Sequence, residues 1–163
     1  TGVVNHLTSS MARYFEVSGW DEALAAASAR HRIVVTGRRD NGAGLSAAFD
    51  LFGFVSRMEQ GPIAPLEAMA NGVPAVTYRA GNLAEIIEHE RTGFLVDQGD
   101  VEGFALLVVE LARDQVKLRQ TGELARQKII ADLSPAAMER ATQAVYRAVI
   151  GSRAPALPGQ GAA

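Results

Sequence analysis

Two glutamates eight positions apart, Glu59 and Glu67, flank a short turn that contains Gly61. The turn follows the apolar run at 51–55 and leads into a predicted helix at about 62–71. Gly61 lets the backbone approach a ligand closely, and the unpaired N–H groups and positive dipole end of the helix point back at the turn. A diphosphate fits such a place, and carboxylates accept hydrogen bonds from sugar or ribose hydroxyls. We therefore expect the two carboxylates to bracket a ligand, because Glu59 precedes the helix and Glu67 lies about one and a half turns into it.

The same residues also permit a purely structural interpretation. A proline such as Pro62 at the first helical position is an ordinary helix start, and two glutamates at this spacing occur by chance in many chains. Spacing alone leaves both interpretations open.

The elements that must position this turn alternate along the chain. Apolar or β-branched runs predict strands, charged and alanine-rich stretches predict helices, and RRDNGAG at 38–44 predicts a loop. The alternation predicts an α/β fold, a Rossmann-like doubly wound parallel sheet, with the turn at its carboxyl edge and further helices at the C-terminus. Strands are expected at about 32–36, 51–55, 74–78 and 93–96, with a further short strand at 9–15, and helices at about 20–29, 45–49, 62–71, 81–89, 101–113, 115–131 and 135–150, the last capped by Ser134.

Length and composition predict one soluble domain. The 163 residues are 48% hydrophobic and 21% charged, which suffices for one core at about 1–150, and the Gly- and Pro-rich residues 151–163 predict a flexible tail. A formal net charge of −2 favours neither nucleic acid nor a membrane surface as a partner. The absence of cysteine excludes disulfides. With no membrane span and no signal-peptide pattern in TGVVNHLTSS, we expect a cytoplasmic protein.

The stretch SRMEQGPIAPLEAMANGVPAVTYRAGNLAEIIEHERTGFLVDQGD resembles the signature region of the retaining glycosyltransferases of family 4. That family carries a Glu, a Gly-containing turn and Leu-Glu-Ala-Met-Ala, then a Gly-x-Pro strand, a Glu-Ile helix and a Thr-Gly-aliphatic segment. The counterparts here are Glu59, Gly61, residues 66–70, Gly72 with Pro74, Glu85 with Ile86, and Thr92 with Gly93. The resemblance implies the C-terminal, donor-binding half of a GT-B fold.

The resemblance also implies roles for individual residues. The counterpart of Glu59 engages the donor sugar, that of Glu67 holds the ribose hydroxyls, and amides of the turn approach the phosphates. An Arg and a Lys on the loop after the first strand neutralise the diphosphate; this chain keeps Arg13 but has Ser18 at the lysine position. The predicted set is Glu59 and Arg13 as catalytic residues and Gln60, Gly61, Ile63, Ala64, Leu66, Glu67 and Ser18 as donor-binding residues.

Three departures from the family pattern concern the donor site. Ser18 donates a hydrogen bond but carries no charge, and a lost cation could cost on the order of 2–4 kcal/mol of transition-state stabilisation. Pro62 replaces a glycine whose N–H the family can offer to the donor. Between Gly37 and Glu59 the family usually has another strand and helix, whereas here only a loop and a helical turn fit, so an edge unit that forms part of the nucleobase pocket is missing.

The resemblance implies a retaining hexosyltransferase that uses a nucleoside-diphosphate sugar and neither a metal nor another cofactor. An N-terminal acceptor-binding domain would be needed in cis or in trans, and this chain alone is expected to be inactive. The alternative is a catalytically inactive GT-B-like binding module, and a fragment of a related epimerase is a third hypothesis. Gly81 and Asn82 resemble the family's glycine-rich turn near the sugar, although Asn82 could equally be only a helix cap.

Overall fold

The computed structural model describes residues 39–152 and, before them, residues 22, 25–27, 29–30 and 33–34. Arg13, Ser18, the predicted strand at 9–15 and the end of the tail after residue 152 lie outside the described residues. The described residues 22 and 25–27 are helical, within the helix expected at 20–29. Ile33 and Val34 belong to no strand, and Val34 is 40% exposed, so the buried strand expected at 32–36 is not found at these two residues. A β-branched run becomes a strand only where neighbouring strands pair with it.

Nine elements follow one another from residue 42 to residue 152, and most match the expected positions within one or two residues. They are α1 (Gly42–Ser46), β1 (Phe52–Phe54), α2 (Ile63–Ala70), β2 (Ala75–Tyr78), α3 (Leu83–Ile86), β3 (Phe94–Val96), α4 (Val101–Ala112), α5 (Gln115–Asp132) and α6 (Pro135–Ser152).

The three strands form a parallel sheet in the order β1-β2-β3. Side chains alternate between its faces, and each face has its own buried cluster. One cluster contains Ala75 and Leu95 of the strands and packs under α2, α3 and α5, while the other contains Val76 and Phe94 and packs under α4 and the start of α5. The predicted doubly wound α/β fold is therefore confirmed.

Polar residues at the helix starts satisfy N–H groups that have no partner inside the helix. Asp100 accepts a hydrogen bond from the Gly103 N–H at 2.8 Å, and Asp114 accepts one from the Lys117 N–H at 2.9 Å. The predicted cap of α6 is confirmed, because the Ser134 hydroxyl accepts from the Ala137 N–H at 3.2 Å.

The helix α1 corrects one prediction. It begins at Gly42, inside the loop expected at 38–44 and before the helical turn expected at 45–49. The Asn41 side chain caps it by accepting from the Gly44 N–H at 3.2 Å. A distant residue also holds it, since the Asn71 side chain donates to the Ala43 carbonyl at 2.7 Å and to the Ser46 hydroxyl at 2.8 Å.

The C-terminal end of α2 is fixed from three sides. Asn71, which follows α2, holds α1 as described, and the Arg126 side chain on α5 donates to the Ala70 carbonyl at 2.9 Å. The backbones of α5 and the turn after α2 meet at Gly122, where an added Cβ would lie 2.0 Å from the Gly72 carbonyl oxygen. The N-terminal end of α2 therefore lies at the carboxyl edge of the sheet, on a helix whose C-terminal end is held in place.

An ion-pair network joins the turn after α3 to α5. Glu88 pairs with Lys128 at 3.1 Å and with Arg91, and Lys128 pairs with Asp132 at 3.1 Å. Hydrogen bonds from Lys128 and then Arg91 hold the pKa of Glu88 below its ordinary value of 4.5. Hydrogen bonding to Asp132 and then Glu88 raises the pKa of Lys128.

Glu88→Gln is expected to lower the melting temperature slightly at about pH 7 and to lose this effect in acid. Because the pKa of Glu88 is lower in the folded chain, its carboxylate stabilises the fold above pH 4.5, and this contribution disappears as the pH falls through the folded pKa. Melting curves of both proteins between about pH 7 and pH 3 check the convergence. Glu123→Gln on α5, whose carboxylate has no ion pair within residues 39–152, serves as the control. A Glu88→Gln difference that does not change with pH would contradict the assignment.

No helix among the described residues has the length and apolar character needed to cross a membrane.

Candidate functional site

The loops that leave the carboxyl ends of the three strands surround an open cavity of about 540 Å³. This volume lies within the range of small-molecule sites, and the carboxyl edge of an open α/β sheet is where such folds bind ligands. The lining residues come from the loop after β1 (Arg57, Met58, Glu59 and Gln60), the loop after β2 (Arg79, Ala80 and Gly81) and the loop after β3 (Gln98).

Close backbone contacts hold these loops together. Gly81 has a φ of +54°, and a Cβ at this position would lie 2.1 Å from the Glu59 carbonyl oxygen. Only glycine fits both the left-handed conformation and this approach. On the other side of the cavity, the Gln98 side-chain amide donates to the Arg57 carbonyl. The loop that carries Glu59 is thus fixed by the loops after β2 and β3.

The start of α2 presents free hydrogen-bond donors beside this loop. Pro62 is extended, with φ −69° and ψ 123°, and occupies the cap position, so α2 begins at Ile63 and not at Pro62 as expected. Within the described part of the chain, the N–H groups of Gly61, Ile63 and Ala64 donate to no acceptor. Open space surrounds Gly61. These three N–H groups and the positive end of the helix dipole form a place suited to an anion.

The two glutamates differ in position, because Glu59 lines the cavity and Glu67 does not. Glu59 is half-buried and lines the cavity. Glu67 is half-buried on α2, four residues after Ile63, and therefore lies on the same helix face as the exposed Ile63 and Ala64. Neither carboxylate has an ion pair or a hydrogen bond to another described residue, so both remain available to a ligand.

The other predicted donor-binding residues divide into two groups. Gln60 is exposed on the cavity wall, next to Glu59. Leu66 turns inward, and its side chain packs against the core cluster around Met69. A contact between Leu66 and a donor would therefore involve its backbone.

The turn after β2 answers the question about Asn82 only in part. Gly81 lines the cavity, as expected for a turn near a ligand. Asn82 occupies the cap position of α3, but it has helical dihedral angles and its side chain makes no capping hydrogen bond. A residue that caps a helix through its side chain normally has non-helical dihedral angles, so the simple capping interpretation of Asn82 is wrong. Its Oδ1 atom is buried and has no partner among the described residues.

Three polar cavity residues were missed by the sequence analysis: Arg57, Arg79 and Gln98. Each lies within three residues after the end of a strand. Residues at the carboxyl ends of parallel strands meet at one edge of the sheet. Collecting the polar residues just after each predicted strand would have found all three.

Within the described residues, His, Asp and Glu side chains form no group of three that could hold a metal ion. The independence from metals that the resemblance implies stays a prediction.

Comparisons with known proteins identify the family. The fold likeness extends to solved Anabaena Alr3699/HepE, with a TM-score of 0.71 and 23% identity over 93% of this chain and 41% of HepE in its UDP complex. It also extends to the C-terminal domain of a glycosyl transferase group 1 family protein, LpcC, from Francisella tularensis, with a TM-score of 0.66 and 19% identity over 77% of this chain and 65% of that domain. The predicted Rossmann-like α/β fold of a GT-B glycosyltransferase domain is thereby confirmed. Residues 7–114 match the family described as Glycosyl transferases group 1, and the chain belongs to that family.

A curated relative supports this assignment. N-acetyl-alpha-D-glucosaminyl L-malate synthase from Bacillus anthracis is 39% identical over 98 residues, which are 60% of this chain and 26% of the synthase. The glycogen synthase of Mycobacterium tuberculosis is 31% identical over 110 residues, 68% of this chain and 24% of that enzyme. This chain therefore spans about a quarter of the length of these two relatives.

Proposed function

We propose that this chain is the donor-binding half of a retaining glycosyltransferase that transfers a hexose from a nucleoside-diphosphate sugar. The observation that carries the proposal is the set of three free N–H groups at the start of α2, beside the cavity that holds Glu59. Free donors at a helix start favour a diphosphate. The solved HepE complexes contain UDP, UDP with glucose, and UDP-glucose, which supports the same class of ligand.

Each residue of the site has a part in binding this donor. The N–H groups of Gly61, Ile63 and Ala64 would receive phosphate oxygens, and the Glu67 carboxylate would accept hydrogen bonds from the ribose hydroxyls. Glu59, already in the cavity, would orient the sugar. By resemblance to the family, Arg13 would neutralise the diphosphate; it is not among the residues that the structure describes.

The chemistry in the full enzyme is the departure of the nucleoside diphosphate from the anomeric carbon, with attack by the acceptor hydroxyl on the same face. The bond to the diphosphate oxygen breaks, the new glycosidic bond forms with retention, and the acceptor proton leaves with the diphosphate. Negative charge develops on the departing diphosphate, so donors that are already aimed at it lower the barrier. No metal enters this proposal.

The acceptor site belongs, in this proposal, to an N-terminal half that acts in cis or in trans. The short span of this chain along its relatives supports that division. The chain alone should therefore bind donor without turning it over. The lack of cysteine fits a reducing compartment, and we propose a cytoplasmic location.

Titration of the chain with UDP, GDP and ADP tests the proposal. At least one nucleotide should bind with a millimolar or lower Kd, and Glu67→Ala should weaken it by about tenfold to a hundredfold, because charged hydrogen bonds to two hydroxyls are lost. Glu139→Ala, an exposed glutamate on α6, is the matched control and should bind as the unchanged chain does.

The rival proposal is a binding module that has lost catalysis, and the uncharged Ser18 favours it. If none of the three nucleotides bound the folded chain, the donor-binding proposal would be refuted and the rival supported. Equal binding by the unchanged chain and Glu67→Ala would refute the role assigned to Glu67.

A further inference from the structure

The cavity contains two guanidinium groups that its own carboxylate does not neutralise. Arg57, Arg79 and Glu59 line the same space, yet Glu59 pairs with neither arginine. Arg57 has no side-chain partner among the described residues. Arg57 therefore carries a positive charge that no described carboxylate pairs with, whereas Arg79 has Asp97 as a partner.

The Arg79 side chain is held on one edge only. Its Nε atom lies 3.4 Å from the Asp97 Oδ1 atom, and its own backbone N–H donates to the Val96 carbonyl at 2.9 Å. The two terminal nitrogens, Nη1 and Nη2, have no partner within residues 39–152. When a carboxylate pairs with the Nε atom of an arginine, the two terminal nitrogens can still donate hydrogen bonds to a second oxyanion. Among the described residues, Asp97 is the carboxylate next to Arg79, and the side chains of both residues are exposed.

Backbone contacts keep both arginines on the same wall as Glu59. The Arg57 carbonyl accepts from the Gln98 side chain, and Gly81 packs against the Glu59 carbonyl. The arginines therefore come from loops that are tied to each other and not from independent surface segments.

We propose that Arg79, positioned by Asp97, and Arg57 form an oxyanion-binding wall that takes the diphosphate of the nucleoside-diphosphate donor. This inference rests on the proposed function, and it names the cationic groups that recognise the diphosphate. The wall supplies a cation in place of the lysine that, by the family resemblance, Ser18 replaces. Phosphate oxygens accept bidentate hydrogen bonds from arginine and would complete the fork that Asp97 leaves open.

Binding of UDP, uridine and inorganic pyrophosphate to the full chain tests the wall, with chemical-shift changes in NMR spectra as the readout. Arg79→Ala should raise the Kd for UDP and for pyrophosphate by about tenfold to a hundredfold and leave the Kd for uridine unchanged, because only the phosphate contacts are removed. Arg57→Ala should have the same selectivity with a smaller effect, since no residue positions it. Arg79→Lys should recover only part of the affinity, because it restores the charge but not the fork.

Salt and a matched variant separate a specific site from general charge. UDP binding to the unchanged chain should fall more steeply with NaCl than binding to Arg79→Ala. Arg113→Ala, at the opposite end of α4, is the control and should bind as the unchanged chain does. Asp97→Ala should weaken the binding of UDP without affecting the binding of uridine. If Asp97 had only a structural role, its substitution would weaken the binding of both ligands.

The outcomes distinguish this inference from the proposed function. If Arg79→Ala and Arg57→Ala bind UDP and pyrophosphate as the unchanged chain does, the wall is refuted while nucleotide binding stands. Malonate, a dicarboxylate, serves as a second probe. If the two variants lost binding of malonate but kept binding of UDP and pyrophosphate, the diphosphate assignment would be overturned in favour of a carboxylate ligand. Pyrophosphate binding that depends on Arg79 while no nucleotide binds would overturn the assignment to a nucleotide donor, and the proposed function with it. A folded chain that binds neither nucleotide nor pyrophosphate overturns both.

Discussion

Gly81→Ala is expected to abolish measurable nucleotide binding and to lower the free energy of unfolding by about 2–4 kcal/mol. The substitution has two costs. An L-residue at a φ of +54° is strained, and its Cβ would lie 2.1 Å from the Glu59 carbonyl oxygen and 2.8 Å from the carbonyl carbon. Since both atoms are backbone, the loop that carries Glu59 must move. Urea unfolding gives the stability change, and UDP titration gives the loss of binding.

Gly99→Ala provides a matched control for this prediction. Gly99 also has a positive φ, +86°, but an added Cβ would meet nothing within 4 Å. It should show only the cost of the dihedral angle, about 1–2 kcal/mol, and should keep nucleotide binding. If the two variants lost the same stability and both bound nucleotide, the tight contact between Gly81 and Glu59 would have no functional importance.

Gly122→Ala is expected to lower the free energy of unfolding by about 1–3 kcal/mol, although alanine is the better helix former. An added Cβ would lie 2.0 Å from the Gly72 carbonyl oxygen and 3.2 Å from the Pro74 side chain. The turn at Gly72 cannot easily yield, because it has a φ of +78° and follows directly on α2. The contact between α5 and the end of α2 must therefore open, and urea unfolding measures the cost.

Gly151→Ala shows what alanine does in a helix without this contact. Gly151 lies near the end of α6, with nothing within 4 Å of an added Cβ, so the variant should be unchanged or more stable by up to about 1 kcal/mol. If Gly122→Ala were as stable as Gly151→Ala, the close packing of α5 on Gly72 would be refuted.

The sequence was most informative where apolar runs and caps agree. The strands at 52–54, 75–78 and 94–96 are short, and all their residues except Gly53 are buried or half-buried. Their β-branched and aromatic residues lie next to turn residues, so each strand was predicted within a residue of its ends. Ser134 and Pro135 gave the start of α6 directly. Elements with such local signals can be predicted because their formation depends little on contacts with distant residues.

The start of α1 was mispredicted because part of its support is not local: Asn41 caps it, but Asn71 also holds it. Gly42 and Gly44 favour a loop, whereas the side chain of Asn71 from the far end of α2 holds the helix through Ala43 and Ser46. A contact between residues more than twenty positions apart cannot be inferred from local sequence patterns.

The site shows the same division. The turn from Glu59 to Gly61 was predicted from residue types and from resemblance, and it lies at the carboxyl edge of the sheet as expected. Arg79 and Gln98 were not predicted, because the analysis followed one turn and did not collect the polar residues after the neighbouring strands, which the pairing of β2 with β1 and β3 brings to the same edge. The contact of Gly81 with Glu59 depends on backbone geometry that no residue pattern specifies.

The anchoring of α2 at its C-terminal end has an entropic consequence. Asn71, Arg126 and the contact at Gly122 restrain the base of the helix before any ligand arrives. An anion that meets the N–H groups at the other end would find them already immobilised, so association would not have to freeze a mobile segment. Preorganisation of this kind increases affinity by sparing conformational freedom, not by adding contacts.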